Sequence, residues 1–227
     1  MKLKILFATT NDHKIRLFKI AWQEAGLDKE YELVTLKNFP NIDIGDVQEN
    51  SGSFAGDALL KAKAYAKGYN LPTISQDRGF IFDVLNWPGT DTKKVFTQDE
   101  KMHLNNDNWN SSKDEYFKRA KHILAKIDGL DRSISVIHGI AMALPSGDSV
   151  TEEFITKGRA SDEPKVSISG AGGMFDWFFI PHNLNHTVTE FLTSQEQDQY
   201  VATNLYPITP KILDFLNTYQ SHFYLET

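Results

Sequence analysis

The chain has 227 residues, 41% of them hydrophobic and 24% charged, with no cysteine and a net charge of −6. That is enough apolar material for one sizeable α/β domain. It excludes disulfides and thiolate metal sites, and it gives a nucleic acid no electrostatic reason to bind. No apolar run approaches the about 20 residues that span a bilayer. A soluble cytoplasmic protein with neither a nucleic-acid nor a membrane partner is expected. An anionic small molecule stays open, because clustered lysines or a metal ion can outweigh the net charge locally.

Lys2 and Lys4 ahead of an apolar run look like the start of a secretory leader. The run stops at Ala8 and polar Thr9–Lys14 follows, so a buried strand over Leu3–Ala8 is expected instead. Thr9-Thr10-Asn11-Asp12 is turn and N-cap chemistry. Ile15, Phe18, Trp22 and Ala25 then recur at helical spacing up to Gly26. Glu32–Leu36 reads as a strand and Asn38–Ser53 as a polar, turn-rich stretch. Phe54, Ala58, Leu59, Ala62, Tyr65 and Ala66 make the stripe of a second helix, with Ser53 as N-cap, Asp57 near its positive end and Gly68 closing it. Thr73–Ser75 and Phe80–Leu85 read as two short strands around Gln76-Asp77-Arg78-Gly79. Residues 86–114 suggest loops or short helices. Tyr116 to Ile127 restores a helix ended by Gly129, and Ser133–Leu144 reads as a long strand. Pro145–Asp148 makes a turn and Val150–Lys157 returns as a hairpin partner. Thr209-Pro210 opens a last helix with Ile212, Leu213, Phe215, Leu216 and Tyr219 inward. The pattern predicts a single mixed α/β domain over 1–227 with a hairpin lobe.

Three segments carry candidate chemistry. Thr9, Thr10, Asn11 and Lys14 lie in a loop at the carboxyl end of a strand, where α/β folds place ligands and a helix N-terminus favours an anion. The alternative is an N-cap beside a solvated lysine. Glu49 and Asp77 are two acids from separate segments, which suits Mg²⁺ with its one or two carboxylates plus substrate phosphates; each could instead be a solvated loop carboxylate. Lys61 follows Glu49 on the second helix and either reaches the same place or lies on a solvated face. Gly170–Gly173 ahead of Met174–Phe179 fits close approach to a base with aromatic stacking, or an aromatic core strand after a glycine turn. His182 and His186 sit too near a Pro/Asn loop to be read as metal ligands.

In this order the segments resemble the inosine triphosphate pyrophosphatase (Ham1-like) family. Its opening A-T-x-N-x-x-K is matched by Ala8, Thr9, Asn11 and Lys14. Its E-T-G-x-T-F-x-x-N-A-x-x-K-A appears as ENSGSFAGDALLKA, keeping Glu49, Phe54, Ala58, Lys61 and Ala62. Its L-P-x-x-x-D-D-S-G-L with a later P-G is matched by Leu71, Pro72, Asp77, Gly79, Pro88 and Gly89, and GAGGMFDWFFIP resembles its late glycine motif. The resemblance implies an elongated mixed α/β fold with a twisted central sheet and two lobes flanking a cleft, commonly as a homodimer. It implies Mg²⁺-dependent cleavage of a nucleoside triphosphate to monophosphate and pyrophosphate, with Mn²⁺ as an alternative metal. It would place Thr9–Lys14 on the triphosphate and Glu49 and Asp77 on the metal. Asp77 would also activate water, with Lys61 stabilising phosphate charge. Arg78 and Gly79 would lie beside the substrate, and Phe175 and Asp176 would touch the base.

The chain departs from the family pattern at several positions. Asp57 stands for the Asn of N-A-x-x-K-A. Gln76-Asp77-Arg78-Gly79 stands for D-D-S-G, and Arg78 adds a cation within reach of phosphate. Thr90-Asp91-Thr92 replaces S-A-R. The purine-reading S-H-R is missing from TSQEQDQYVATN. The expected activity is therefore that of a Mg²⁺-dependent pyrophosphatase acting on non-standard, purine nucleoside triphosphates. The alternatives are an inactive nucleotide-binding or regulatory relative, and a hydrolase with a shifted nucleotide substrate.

Overall fold

Four aromatic side chains organise the first part of the chain. β1 (Leu3–Phe7) brings Phe7 into a stack with Phe18 of α1 (Asp12–Glu24), centroids 4.1 Å apart. Trp22, one turn further along α1, meets Tyr31 of β2 (Tyr31–Thr35) edge-on. The computed structural model describes residues 2–39, 42, 44–45, 47–99, 104–105, 113–166, 174–191, 193–205 and 208–225. After β2 come α2 (Phe54–Tyr69), β3 (Thr73–Phe82), β4 (Trp87–Pro88), α3 (Thr92–Thr97), β5 (Gln98–Asp99), β6 (Leu104–Asn105) and α4 (Lys113–Ala125). The chain continues through β7 (Ser133–Ala143), β8 (Ser149–Ala160), β9 (Phe179–Pro181), α5 (Ser194–Leu205) and α6 (Pro210–Leu225). Among the described residues the main sheet runs β2-β1-β3-β7-β8-β9, with β4 on β3 and β5–β6 as a separate pair. β1 is parallel to both β2 and β3. This is the mixed α/β class that the sequence predicts. Among the described residues, no helix is long and apolar enough to cross a membrane.

The chain forms two compact units. The first takes 1–77, 138–154 and 202–227, and the second takes 78–137 and 155–201. β3, β7 and β8 each run from one unit into the other. The first unit is cored by Ile5, Phe7, Phe18, Trp22 and Tyr31 with Ile74, Ile140, Met142, Ile212 and Leu216. Ala58, Ala62 and Ala66 of α2 pack on Ala141 and Ala143 of β7. Small side chains let helix and sheet approach closely. At Gly139 the approach is so tight that a Cβ would overlap the Phe54 carbonyl. The second unit is cored by Phe80, Phe82 and Phe178, with Phe175 against Phe80. Ala120, Ile123, Leu124 and Ile127 of the α4 segment are buried as well.

Two expectations are corrected, and one helix lies where no element is expected. Thr73–Ser75 and Phe80–Leu85 are not two strands: β3 runs unbroken through Gln76–Gly79. Polar residues there are tolerated because alternate side chains find partners on opposite faces. Gly68 lies inside α2, where a Cβ would overlap Ile44, and the left-handed cap is Asn70 at φ 51°. α5 covers a stretch for which the sequence reading had no helix. Thr193 accepts the Glu196 N–H while the Glu196 carboxylate accepts from the Thr193 N–H, a capping box legible as T-x-x-E. In 86–114, α3 is a short helix of the expected kind, whereas β4, β5 and β6 are two-residue strands where loops or helices are expected, and residues 100–103 and 106–112 lie outside the described residues.

Candidate active site

The pairing of β1 with β3 positions the first group of site residues. Phe7 is registered with Ile74, and Ala8 N–H donates to the Ile74 carbonyl at 2.9 Å. The loop Thr9–Asn11 therefore leaves the sheet beside the part of β3 that carries Ser75 and Asp77. Asn11 is the N-cap of α1. Its Oδ1 accepts from His13 N–H at 2.9 Å and Lys14 N–H at 3.2 Å, and the Thr9 hydroxyl accepts from Asn11 N–H. Two first-turn donors are thus already used; Thr10 is exposed and Lys14 is half-buried in this loop.

Glu49 and Lys61 are set by the start of α2. Ser53 caps the helix through Gly56 N–H at 3.0 Å, and buried Asp57 accepts the Ser51 N–H at 2.9 Å. Asp57 thereby ties down the segment that carries Glu49. A carboxylate oxygen accepts that N–H as an amide oxygen would, so Asp in place of the family's Asn keeps the local chemistry. The sequence reading assigned Asp57 only to the helix dipole. Its position in the first turn after the Ser53 N-cap and the Gly52 turn is the available signal.

Lys61 Nζ lies 3.0 Å from Glu49 Oε2 and 3.7 Å from Asp77 Oδ1. One ammonium is shared by two carboxylates, so the cluster carries a net charge of −1. The Lys61 and Asp77 side chains are 16% and 20% exposed and Glu49 is 49% exposed, so water and a ligand can reach them. Beside them, the Ser75 hydroxyl and the Gln76 amide oxygen are buried with no hydrogen-bond partner among the described residues. Tyr65 lies one helical turn beyond Lys61. Burial pushes its phenol above the ordinary range, with Tyr69 and Glu49 adding to the rise and Lys61 opposing it. Among the described residues no group of three or more His, Cys, Asp and Glu could hold a metal ion. The donor set is therefore two carboxylates with a residual negative charge. That fits Mg²⁺, which takes one or two protein carboxylates and fills its octahedron with water and phosphate oxygens.

Arg78 follows Asp77 on β3 and, like its partners, belongs to the second unit. Arg78 Nη2 is 3.3 Å from Asp176 Oδ2, with side chains 6% and 0% exposed, and the guanidinium lies 4.6 Å over the Phe175 ring. Gly79 is buried next to them in the strand. Phe175 and Asp176 sit in a short 3₁₀ turn, Met174–Trp177, followed by core residues Phe178 and Phe179. The glycine run ahead of it, 170–173, lies outside the described residues. His186 is edge-on to Phe191 and its Nδ1 lies 2.9 Å from the Thr187 carbonyl. The structure thus gathers Glu49, Lys61 and Asp77 into one cluster and Arg78, Phe175 and Asp176 into another.

The Ham1 family model matches residues 5–200. The chain belongs to the Ham1 family. It is 30% identical over 200 residues to a dITP/XTP pyrophosphatase of Streptomyces coelicolor, covering 86% of this chain and 88% of the relative. It is 26% identical over 201 residues to a dITP/XTP pyrophosphatase of Mycobacteroides abscessus, with coverages of 86% and 87%. The crystal structure of a nucleoside-triphosphatase, dITP/XTP pyrophosphatase, from Mycobacterium abscessus superposes with a TM-score of 0.60 at 26% identity, over 86% of this chain and 92% of that one. A HAM1 protein from Coxiella burnetii gives a TM-score of 0.67 at 21% identity, over 97% and 99%, and speaks to the fold alone.

Proposed function

We propose that this Ham1-family protein is a nucleoside triphosphate pyrophosphatase that uses Mg²⁺, or Mn²⁺ in its place, to convert a nucleoside triphosphate to the monophosphate and pyrophosphate. The observation that carries the reading is the Glu49–Lys61–Asp77 cluster, one cation shared between two accessible carboxylates in the neighbourhood of the Thr9–Lys14 loop. The names of the relatives from Streptomyces coelicolor and Mycobacteroides abscessus support the same chemistry, with non-standard purine nucleotides as substrates.

In this reading Lys14 and the Thr10 hydroxyl hold the outer phosphates. Glu49 and Asp77 would hold the metal, which when bound supplies a Lewis acid that offsets phosphate charge. Asp77 accepts a proton from water as the water oxygen bonds to the α-phosphorus. The bond from that phosphorus to the bridging oxygen breaks, and its electron pair leaves with pyrophosphate. Lys61 stays within reach of both carboxylates and stabilises the charge that builds on the phosphate oxygens. By the family resemblance, Phe175 would supply a face for the base and Asp176 an acceptor for its N–H groups where Arg78 left them open. A second reading, a hydrolase with a shifted nucleotide substrate, is favoured by Arg78, which already occupies both of those groups.

The test is a panel of standard and modified nucleoside triphosphates with Mg²⁺ and with Mn²⁺, with pyrophosphate and phosphate measured separately. Pyrophosphate and monophosphate should appear in equal amounts. Phosphate and diphosphate would place the cut at the wrong bond, and no product from any nucleotide would leave only nucleotide binding.

A further inference from the structure

We propose that Arg78 is the residue that sets base selectivity in this chain, because its guanidinium takes the seat on Phe175 and Asp176 that a nucleobase would take. The inference rests on the assignment above of those two residues to the base. A planar base with N–H donors on one edge is held by two contacts: an aromatic ring under its face and a carboxylate on its edge. A guanidinium is planar, stacks on aromatic faces and presents a fork of N–H groups, so it satisfies the same two contacts. Here it does both. It lies 4.6 Å over the Phe175 ring and reaches Asp176 Oδ2 at 3.3 Å.

The seat is fixed and dry. Phe175 is packed on Phe80, which itself meets Phe178 edge-on, and the Phe175 residue is 5% exposed. Asp176 is fully buried and Arg78 nearly so. A nucleotide that displaced the guanidinium would have to separate a desolvated ion pair, and a lone buried charge costs far more than a stacking contact returns. Arg78 therefore stays, and the base is not read by this carboxylate. Turnover then depends on the phosphates, and 6-oxopurines, whose two-ring face offers the wider stacking surface beside an N1–H donor, lose their advantage over pyrimidines. The sequence holds the same information: Arg78 stands where the family pattern has a serine too short to reach either group.

The experiment is calorimetric binding of the α,β-methylene triphosphates of inosine, guanosine, cytidine and uridine in Mg²⁺ to wild type, Arg78→Ser and the double variant Arg78→Ser/Asp176→Asn. These analogues resist cleavage, so a protein without pyrophosphatase activity can still show the binding pattern, and failure of the proposed activity is seen separately in the turnover assay. The double variant leaves no buried lone carboxylate, yet its amide oxygen still accepts an N–H. The expected result is little discrimination in wild type and a gain of about tenfold or more for inosine and guanosine over the pyrimidines in the variants. Folded variants with the wild-type ratios would make Arg78 a staple of the fold and overturn the inference. So would a wild-type protein that already prefers 6-oxopurines by about tenfold or more, whatever the variants do.

Discussion

Two charged clusters begin one residue apart on β3 and treat charge differently. In the first unit, Asp77 and Glu49 share Lys61, all three are open to solvent to some degree, and one of the contacts is as long as 3.7 Å. In the second unit, Arg78 pairs with Asp176 at 3.3 Å and lies over the Phe175 ring, almost fully removed from water. Charges that keep contact with water exchange partners at little cost, which is what a site must do when phosphates and a metal ion arrive. A desolvated pair holds its partners, because separation leaves a buried charge behind. Exposure, more than residue type, separates a cluster suited to chemistry from one suited to fixing geometry.

Removing one carboxylate from each cluster breaks the comparison most sharply. Asp176→Ala takes its carboxylate from a buried guanidinium and should lower unfolding stability by about 3–5 kcal/mol. Glu49→Gln should change stability by less than about 1 kcal/mol, as for other exposed pairs. Urea titration of the two variants checks both, and equal losses would erase the distinction. Lys61→Met should leave the fold in place and lower kcat/KM by about 10²–10³-fold, because a cation aimed at developing phosphate charge is lost. Steady-state kinetics beside a thermal melt separates those effects. The Glu49→Gln protein should also need about tenfold more Mg²⁺ for half-maximal rate, read from a metal titration.

The smallest expected effect lies at alkaline pH. Burial raises the phenols of Tyr65, Tyr200 and Tyr219 above the ordinary value. The unfolded chain then releases those protons first. Stability from these groups is intact below the free phenol value of about 10 and falls as pH rises through the higher folded values. Tyr65→Phe should make that fall shallower in melts taken from pH about 8 to 11.

Much of the fold is written locally. β1, α1, the β7–β8 hairpin and α6 each show a clear period with a cap or turn at the end, and their apolar residues are the ones that form the core. Gln76–Gly79 looks like a turn because its polarity and glycine are local facts. The partners that let it stay extended, Lys61 for Asp77 and Asp176 for Arg78, lie 16 and 98 residues away in sequence. α5 has a weak apolar stripe, and only the Thr193–Glu196 box announces it. Glu49, Lys61 and Asp77 were legible as a set through family spacing, and the structure adds that one ammonium joins them. The burial of Arg78 was not legible. A strand arginine beside an acid looks like a phosphate contact until the opposite face of the strand is known.

The most direct test is pyrophosphate release from a nucleoside triphosphate in saturating Mg²⁺ by wild type and Asp77→Asn, with unfolding followed in parallel. The amide keeps the shape of the side chain but neither takes a proton nor carries the charge that a metal ion needs. The variant should fold as wild type does and release pyrophosphate about 10³-fold or more slowly. A folded Asp77→Asn protein that keeps the wild-type rate would contradict the role given to the Glu49–Lys61–Asp77 cluster.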